Sequence, residues 1–189
     1  MEVTMPLDVF GSFDVVEAFY EAHAVGIKRP KAIWFKHGVL SPGAYINNRV
    51  LPSREGIWED LMYGFYDKAE ALRDEWDVVA SVATGGTPHG VALAWMMTAP
   101  HFTVKKAEKG HGVGGLIDGD VEVLKDKRVL LVEDMSSTFK SSLKAMQPLE
   151  AAGAKVTHTL LLNTWGLPDF HQNVGDHQVH ALCTGEMIL

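Results

Sequence analysis

Val129-Leu-Leu-Val-Glu133-Asp134-Met-Ser136-Ser137-Thr138-Phe139-Lys140-Ser141-Ser142 begins as an unbroken apolar run, ends that run on two acids, and then turns through hydroxyl residues into helix-forming sequence. A strand delivers acids to its tip, and the helix that follows offers unpaired N–H groups suited to a phosphate. Paired acids beside a phosphate cradle are what a ribose phosphate requires. The plainer reading is that Glu133 and Asp134 end a strand and Ser141 caps a helix.

Outward from this stretch the chain alternates. Strands are predicted over Val78 to Ala83, Phe102 to Lys105, Arg128 to Val132, Val156 to Leu162 and Val179 to Cys183, and helices over Pro88 to Met97 and Ser141 to Ala152. Near-continuous apolar strands alternating with helices predict an α/β fold, a mostly parallel sheet flanked by helices on both faces. Upstream, Ser53 opens a longer helix in which Ile57, Trp58, Leu61, Met62, Phe65, Tyr66, Ala69 and Leu72 recur at helical spacing. The first fifty residues read as a separate small lobe: a helix from Ser12 to about Val25, then strands Ala32 to Phe35 and Tyr45 to Val50. The expected division is residues 1–52 as an N-terminal helix and hood, and 53–189 as the α/β core.

In such sheets ligands sit at the carboxyl ends of the strands. Two more loops there draw attention. Ser81-Val-Ala-Thr84-Gly85-Gly86-Thr87-Pro88-His89-Gly90 passes from a buried strand through paired glycines into a helix, with Pro88 in its first turn. Val104-Lys105-Lys106-Ala-Glu108-Lys109-Gly110-His111-Gly112-Val-Gly114-Gly115 gathers lysines and a histidine among glycines, a basic loop able to close over an anion. A fourth segment, Phe35-Lys36-His37-Gly38-Val-Leu-Ser41-Pro42-Gly-Ala-Tyr45-Ile-Asn47-Asn48-Arg49, lies in the first lobe.

The first stretch resembles the motif by which type I phosphoribosyltransferases bind 5-phosphoribosyl 1-diphosphate (PRPP). The resemblance assigns Glu133 and Asp134 to the ribose hydroxyls and Ser137, Thr138, Lys140 and Ser141 to the 5'-phosphate. The other three resemble segments of the orotate phosphoribosyltransferases. Thr84, Gly85 and Gly86 match the pyrophosphate loop. Lys105, Lys106, Lys109 and His111 match the basic mobile loop, with Lys105 assigned to PRPP and the other three to catalysis. Lys36 and Phe35 match the hood residues that face the base, His37 standing where serine is usual. The four matches cover most of residues 30 to 145 in the family's order. They imply the type I phosphoribosyltransferase fold with a small N-terminal hood.

Two departures stand out. The family has glycine at one or both of the positions occupied by Phe139 and Lys140, and glycine tolerates backbone angles that other residues resist. Lys140 either supplies charge in its place or projects into solvent, and Phe139 stands where it could obstruct the cradle. Asn163 to Phe170 also lacks the arginine that many orotate enzymes carry near the base.

The resemblance implies transfer of the phosphoribosyl group from PRPP to orotate, giving orotidine 5'-phosphate and pyrophosphate in pyrimidine nucleotide biosynthesis. Mg²⁺ is expected as cofactor, bound mainly to substrate oxygens, so no protein metal ligand is named. A homodimer with shared active sites is implied, because in the family the basic loop reaches the neighbouring site. Another nucleobase, or a non-catalytic PRPP- or nucleotide-binding regulator, are the alternatives.

Composition narrows the classes further. Of 189 residues 47% are hydrophobic and 22% charged, enough apolar residue for a real core. A formal net charge of -7 argues against binding the backbone of nucleic acid. Cys183 is the only cysteine, which excludes an intrachain disulfide and fits a reducing cytoplasm. The longest apolar stretch, Val91 to Met97, is far short of a membrane span, and Met-Glu-Val-Thr does not begin a signal peptide, so a soluble, unprocessed protein is expected. His171, His177 and His180 read as surface or packing residues, and Trp34, Trp58, Trp76, Trp95 and Trp165 as core.

Overall fold

The structure, a computed structural model, describes residues 7–11, 13–27, 44–106 and 115–188. Among these the chain forms β1 (Leu7–Val9), α1 (Phe13–Glu21), β2 (Val25–Ile27), β3 (Ala44–Ile46), α2 (Ile57–Ala71), β4 (Val78–Val82), α3 (Thr87–Met96), β5 (His101–Val104), β6 (Ile117–Asp118), β7 (Arg128–Ser136), α4 (Lys140–Ala151), β8 (Lys155–Thr164), α5 (Pro168–Val174), β9 (Gln178–Thr184) and α6 (Gly185–Ile188). The main sheet runs β1-β9-β8-β7-β4-β5-β6. Its neighbours are parallel throughout except β5 and β6. β2 and β3 form a separate antiparallel pair.

Alternation along the strands builds two cores. Leu130, Val132, Leu160, Leu162 and Leu182 face one layer with Phe19, Phe65 and Trp76, while Val129, Leu131, Leu161 and Ala181 face the other with Met146, Leu149 and Phe170. A sheet covered on both faces permits its central strands to be apolar along their whole length. β4 shows this, with all five of its residues buried.

The chain leaves β4 for β5 in one direction, and later runs from β7 through β8 to β9 in the other. The order therefore reverses between β4 and β7. At such a point two loops diverge and leave a crevice at the carboxyl ends of the strands. At the opposite end Asp77 fixes the same two strands by accepting from the backbone N and side-chain Nε of Arg128 at 2.8 and 3.1 Å.

Several boundaries differ from the sequence reading. The first helix ends at Glu21 rather than Val25, because His23 takes a positive φ of 54° and Val25 pairs with Ile46. The predicted strand Tyr45 to Val50 stops at Ile46 and gives way to a 3-10 turn over Asn48–Ser53. α2 starts at Ile57, after Gly56 at φ 77°, not at Ser53, whose hydroxyl donates to Val50 O. β7 and β8 extend each other by pairing through Ser136 and Thr164, so the two acids lie within paired strand. The predicted strand Ala32 to Phe35 and the Ser12 cap lie outside the described residues.

Part of the first fifty residues belongs to the main sheet. β1 pairs with β9, and Asp8 continues into a chain of contacts through two buried histidines: Asp8 with His180 at 3.0 Å, His180 with His158 at 3.1 Å, and His158 with Glu75 at 3.1 Å. Lys68 reaches the same oxygen of Asp8, Oδ2, at 2.5 Å. His180 is thus a packing residue and His171 a surface one. The expectation of a core role fails for Trp95, which is 82% exposed on α3. Among the described residues no helix is long and apolar enough to cross a membrane.

Candidate active site

The crevice at the switch point is a polar cleft of about 460 Å³. Its walls include Glu133, Asp134, Ser137, Thr138 and Ser141 from the β7–α4 connection, Lys106 after β5, and Asn48 and Arg49 from the first lobe. Five of the residues assigned to PRPP and one assigned to catalysis therefore meet in one place. Lys109, His111, Lys36 and Phe35 lie outside the described residues.

Glu133 is buried and accepts from Ser141 Oγ at 2.7 Å and from Ser142 Oγ. Burial pushes its carboxyl up to about 7, the Ser142 and Ser141 hydroxyls pull the other way, and the charge of Asp134 adds to the rise. Burial also raises Asp134, opposed by nearby backbone N–H groups and by the charges of Arg49 and Lys106. Two adjacent acids in a cleft, both made harder to ionise, mark a candidate functional site.

The pyrophosphate-loop glycines are required by close approach. A Cβ on Gly86 would stand 2.6 Å from Val132 O and 2.9 Å from Glu133 Cα, and one on Gly85 would enter the Asp134 carboxyl. The β4 loop is thereby pressed against the acids. The Ala83–Thr84 peptide is cis. Thr84 is exposed and borders a different concavity, a groove of about 1270 Å³ between α2 and α3. That larger space is lined mainly by apolar side chains such as Met62, Tyr63, Val91 and Trp95, with Arg54, Glu55 and Glu59 also on its wall.

The two adjacent lysines part company. Lys106 reaches the polar cleft, whereas Lys105 is paired with Asp118 on β6 at 2.8 Å. Lys140 is exposed and absent from the cleft wall, so of the two options left open by its position it takes the solvent one. Phe139 does not obstruct the cradle. Its ring is fully buried and meets Phe170 edge-on, centroids 5.6 Å apart. Its backbone takes the left-handed conformation, φ 60° and ψ 0°, that glycine would supply. That conformation costs an L residue roughly 1–2 kcal/mol, and burying a phenylalanine side chain offsets it by about 1.5–3 kcal/mol.

Sequence reasoning passed over the residues that support the site. Asn48 Nδ2 donates to Asp134 O at 2.8 Å, and Asn163 Nδ2 donates to Asn48 Oδ1 at 3.0 Å, linking the first lobe, β7 and β8 through two buried amides. Asn173 on α5 donates to Thr138 O at 2.7 Å. Asn48 and Arg49 carried a signal, since both fall in the hood segment. Asn173 carried none, because nothing in its neighbourhood marks a side chain that reaches back 35 residues.

A family model described as the phosphoribosyl transferase domain matches residues 52–164, the span that contains the switch point and both of its loops. Fold and cleft are accordingly those of a type I phosphoribosyltransferase. An orotate phosphoribosyltransferase of Listeria monocytogenes serotype 4b (strain F2365) is 33% identical over 153 residues, 81% of this chain and 72% of its own length. The crystal structure of orotate phosphoribosyltransferase from Aeropyrum pernix superposes with a TM-score of 0.75 at 24% identity, covering 93% of this chain and 96% of that one. The Mycobacterium tuberculosis H37Rv orotate phosphoribosyltransferase in complex with PRPP gives a TM-score of 0.64 at 18% identity over 95% of this chain and 93% of its own. The chain belongs to the orotate phosphoribosyltransferase family.

Proposed function

We propose that the protein transfers the 5-phosphoribosyl group of PRPP to orotate, releasing pyrophosphate and orotidine 5'-phosphate, as a magnesium-dependent homodimer of the cytoplasm. The observation that carries this reading is the meeting of Glu133, Asp134, Ser137, Thr138, Ser141 and Lys106 in one cleft at the switch point. The orotate enzymes among the relatives support the choice of base.

In the reaction the bond from ribose C1 to the pyrophosphate oxygen breaks and its electron pair leaves with pyrophosphate, while a ring nitrogen of orotate supplies the pair for the new C1–N bond. Orotate's charge lies on its carboxylate, so the proton on the attacking ring nitrogen must also leave, passing to the departing pyrophosphate or to water as the C1–N bond forms. The protein positions the reactants and neutralises the leaving group. Glu133 and Asp134 hold the ribose hydroxyls, and Ser137, Thr138 and Ser141 with the first N–H groups of α4 hold the 5'-phosphate. Gly85 and Gly86 admit the pyrophosphate to the backbone. Lys106, with Lys109 and His111, offsets its charge, and Lys36 and Phe35 meet the base.

Mg²⁺ fits the donor set. Asp134 and Glu133 are hard oxygen donors in a cleft whose burial disfavours their own charge, which suits an ion that keeps most of its ligands from substrate and water. When bound, it neutralises pyrophosphate oxygens. The dimer is supported by the apolar groove between α2 and α3, where Tyr63, Val91 and Trp95 are exposed beside Thr84. The buried free thiol of Cys183 is in keeping with a reducing compartment.

The test is loss of orotate absorbance in the presence of PRPP and Mg²⁺, with pyrophosphate release measured in parallel. Loss that needs all three components supports the reading. Release with another nucleobase but not with orotate would move the substrate.

A further inference from the structure

The phosphate loop is held from behind by two contacts with α5. Phe139, at the point where the loop enters α4, buries its ring against Phe170, and the Phe139 ring also lies 5.8 Å from that of His177. One residue earlier, Thr138 O accepts from Asn173 Nδ2 at 2.7 Å. Phe170 and Asn173 are one turn apart on α5, so one short helix grips two successive residues of the loop. From the loop side, Phe139 N donates to Ser136 Oγ at 3.0 Å, and Thr164 Oγ1 donates to Ser136 O at 2.7 Å.

A cradle of backbone N–H groups binds an anion well only if those groups are already aimed. A glycine at the loop apex reaches the needed angles freely, but it also leaves them freely. Phe139 takes the same left-handed angles and cannot swing away without pulling its ring from the core it shares with Met146, Leu149 and Phe170. The departure from glycine thereby exchanges flexibility for anchorage.

We propose that Phe139, Phe170 and Asn173 form a clamp that preorganises the loop for the 5'-phosphate of PRPP, each acting as a positioning residue that touches no substrate atom. The proposal rests on the reading of the cleft as a phosphoribosyl site. It assigns α5 a part in substrate affinity that neither the sequence motif nor the cleft wall contains. The affected step is phosphate binding, not bond exchange or base recognition.

The probe is ribose 5-phosphate, titrated calorimetrically into the whole protein, alongside steady-state kinetics. Phe139→Gly, whose backbone accepts the same angles, and Asn173→Ala should each weaken ribose 5-phosphate and raise the KM for PRPP by about tenfold, with kcat and the KM for the base within about twofold of the parent. Phe139→Leu, which refills the apolar site, should recover most of the loss. Unaltered ribose 5-phosphate affinity in Phe139→Gly and Asn173→Ala would overturn the clamp, as would equal loss in kcat and in both KM values, which marks general loosening. Should Phe139→Gly fail to fold, Asn173→Ala, which leaves the ring packing intact, decides alone. The titration reads the clamp even if orotate is not the base, so the two proposals fail separately.

Discussion

Asp134 occupies the space that a side chain on Gly85 would need: a Cβ there would stand 2.2 Å from Asp134 Oδ2 and 2.3 Å from its Cγ. The acid proposed to meet ribose and the loop proposed to meet pyrophosphate therefore hold each other in place. Gly85→Ala must displace the carboxyl. Because a shift on the order of 1 Å at reacting groups can cost about 10²-fold, we expect kcat/KM for PRPP to fall by about that factor while the melting temperature changes little. Steady-state kinetics beside a thermal melt checks both.

Glu133 links stability to pH. Its folded value, raised to about 7 from 4.5, makes the protonated form the one that stabilises the fold. That contribution is complete below pH 4.5 and is lost as pH rises through about 7. Glu133→Gln should therefore melt at nearly the parent temperature near pH 4.5 and progressively above it toward pH 7.5. A constant difference across melts in this range would contradict the assignment.

Lys105 and Lys106 should respond differently to truncation. Lys106 lines the cleft, where its charge acts on Glu133 and Asp134, and Lys105 is held by Asp118. A charged hydrogen bond contributes about 1.5–3 kcal/mol, roughly 10- to 150-fold in affinity. Lys106→Ala should raise the KM for PRPP within that span, and Lys105→Ala by clearly less. Equal effects would mean that Lys105 leaves Asp118 when substrate binds.

Trp95 tests the proposed dimer. An indole this exposed in an apolar groove is the kind of side chain that anchors an interface. Trp95→Ser should shift sedimentation toward the monomer at micromolar concentration and leave the circular dichroism spectrum unchanged. An unshifted dimer would place the interface on another face.

How much of this was legible beforehand divides along physical lines. The alternation of strands and helices and the apolar runs of β4, β7 and β8 announced the parallel sheet, because burial on both faces leaves a compositional trace. The acids and hydroxyls announced the polar cleft, because such residue types mark a place for a polar ligand, while the paired glycines press against the acids without lining it. Contacts that depend on tertiary approach left no such trace. Asn48 reaching Asp134 O, Lys105 turning to Asp118, and Phe139 entering the core rather than the cradle are decided by what lies opposite. Short elements were missed for the same reason, β1 and β6 having two or three residues each and depending on a neighbour for their pairing. α5 did carry a cue, Pro168 in its first turn, which is where proline suits a helix.

The pairing of β1 with β9 has a temporal side. Leu7 lies opposite Val179, so β1 waits for a partner strand made far later in the sequence. Loop closure over that distance is entropically costly and such contacts form late. The central strands β4, β5, β7 and β8 can meanwhile assemble, with one edge of β8 left bare for β9 and then β1. Exposed edges invite wrong partners during that interval. Exposure of that edge to misassembly thus lasts until β9 and then β1 have docked, and the Asp8–His180 contact is the latch that ends it.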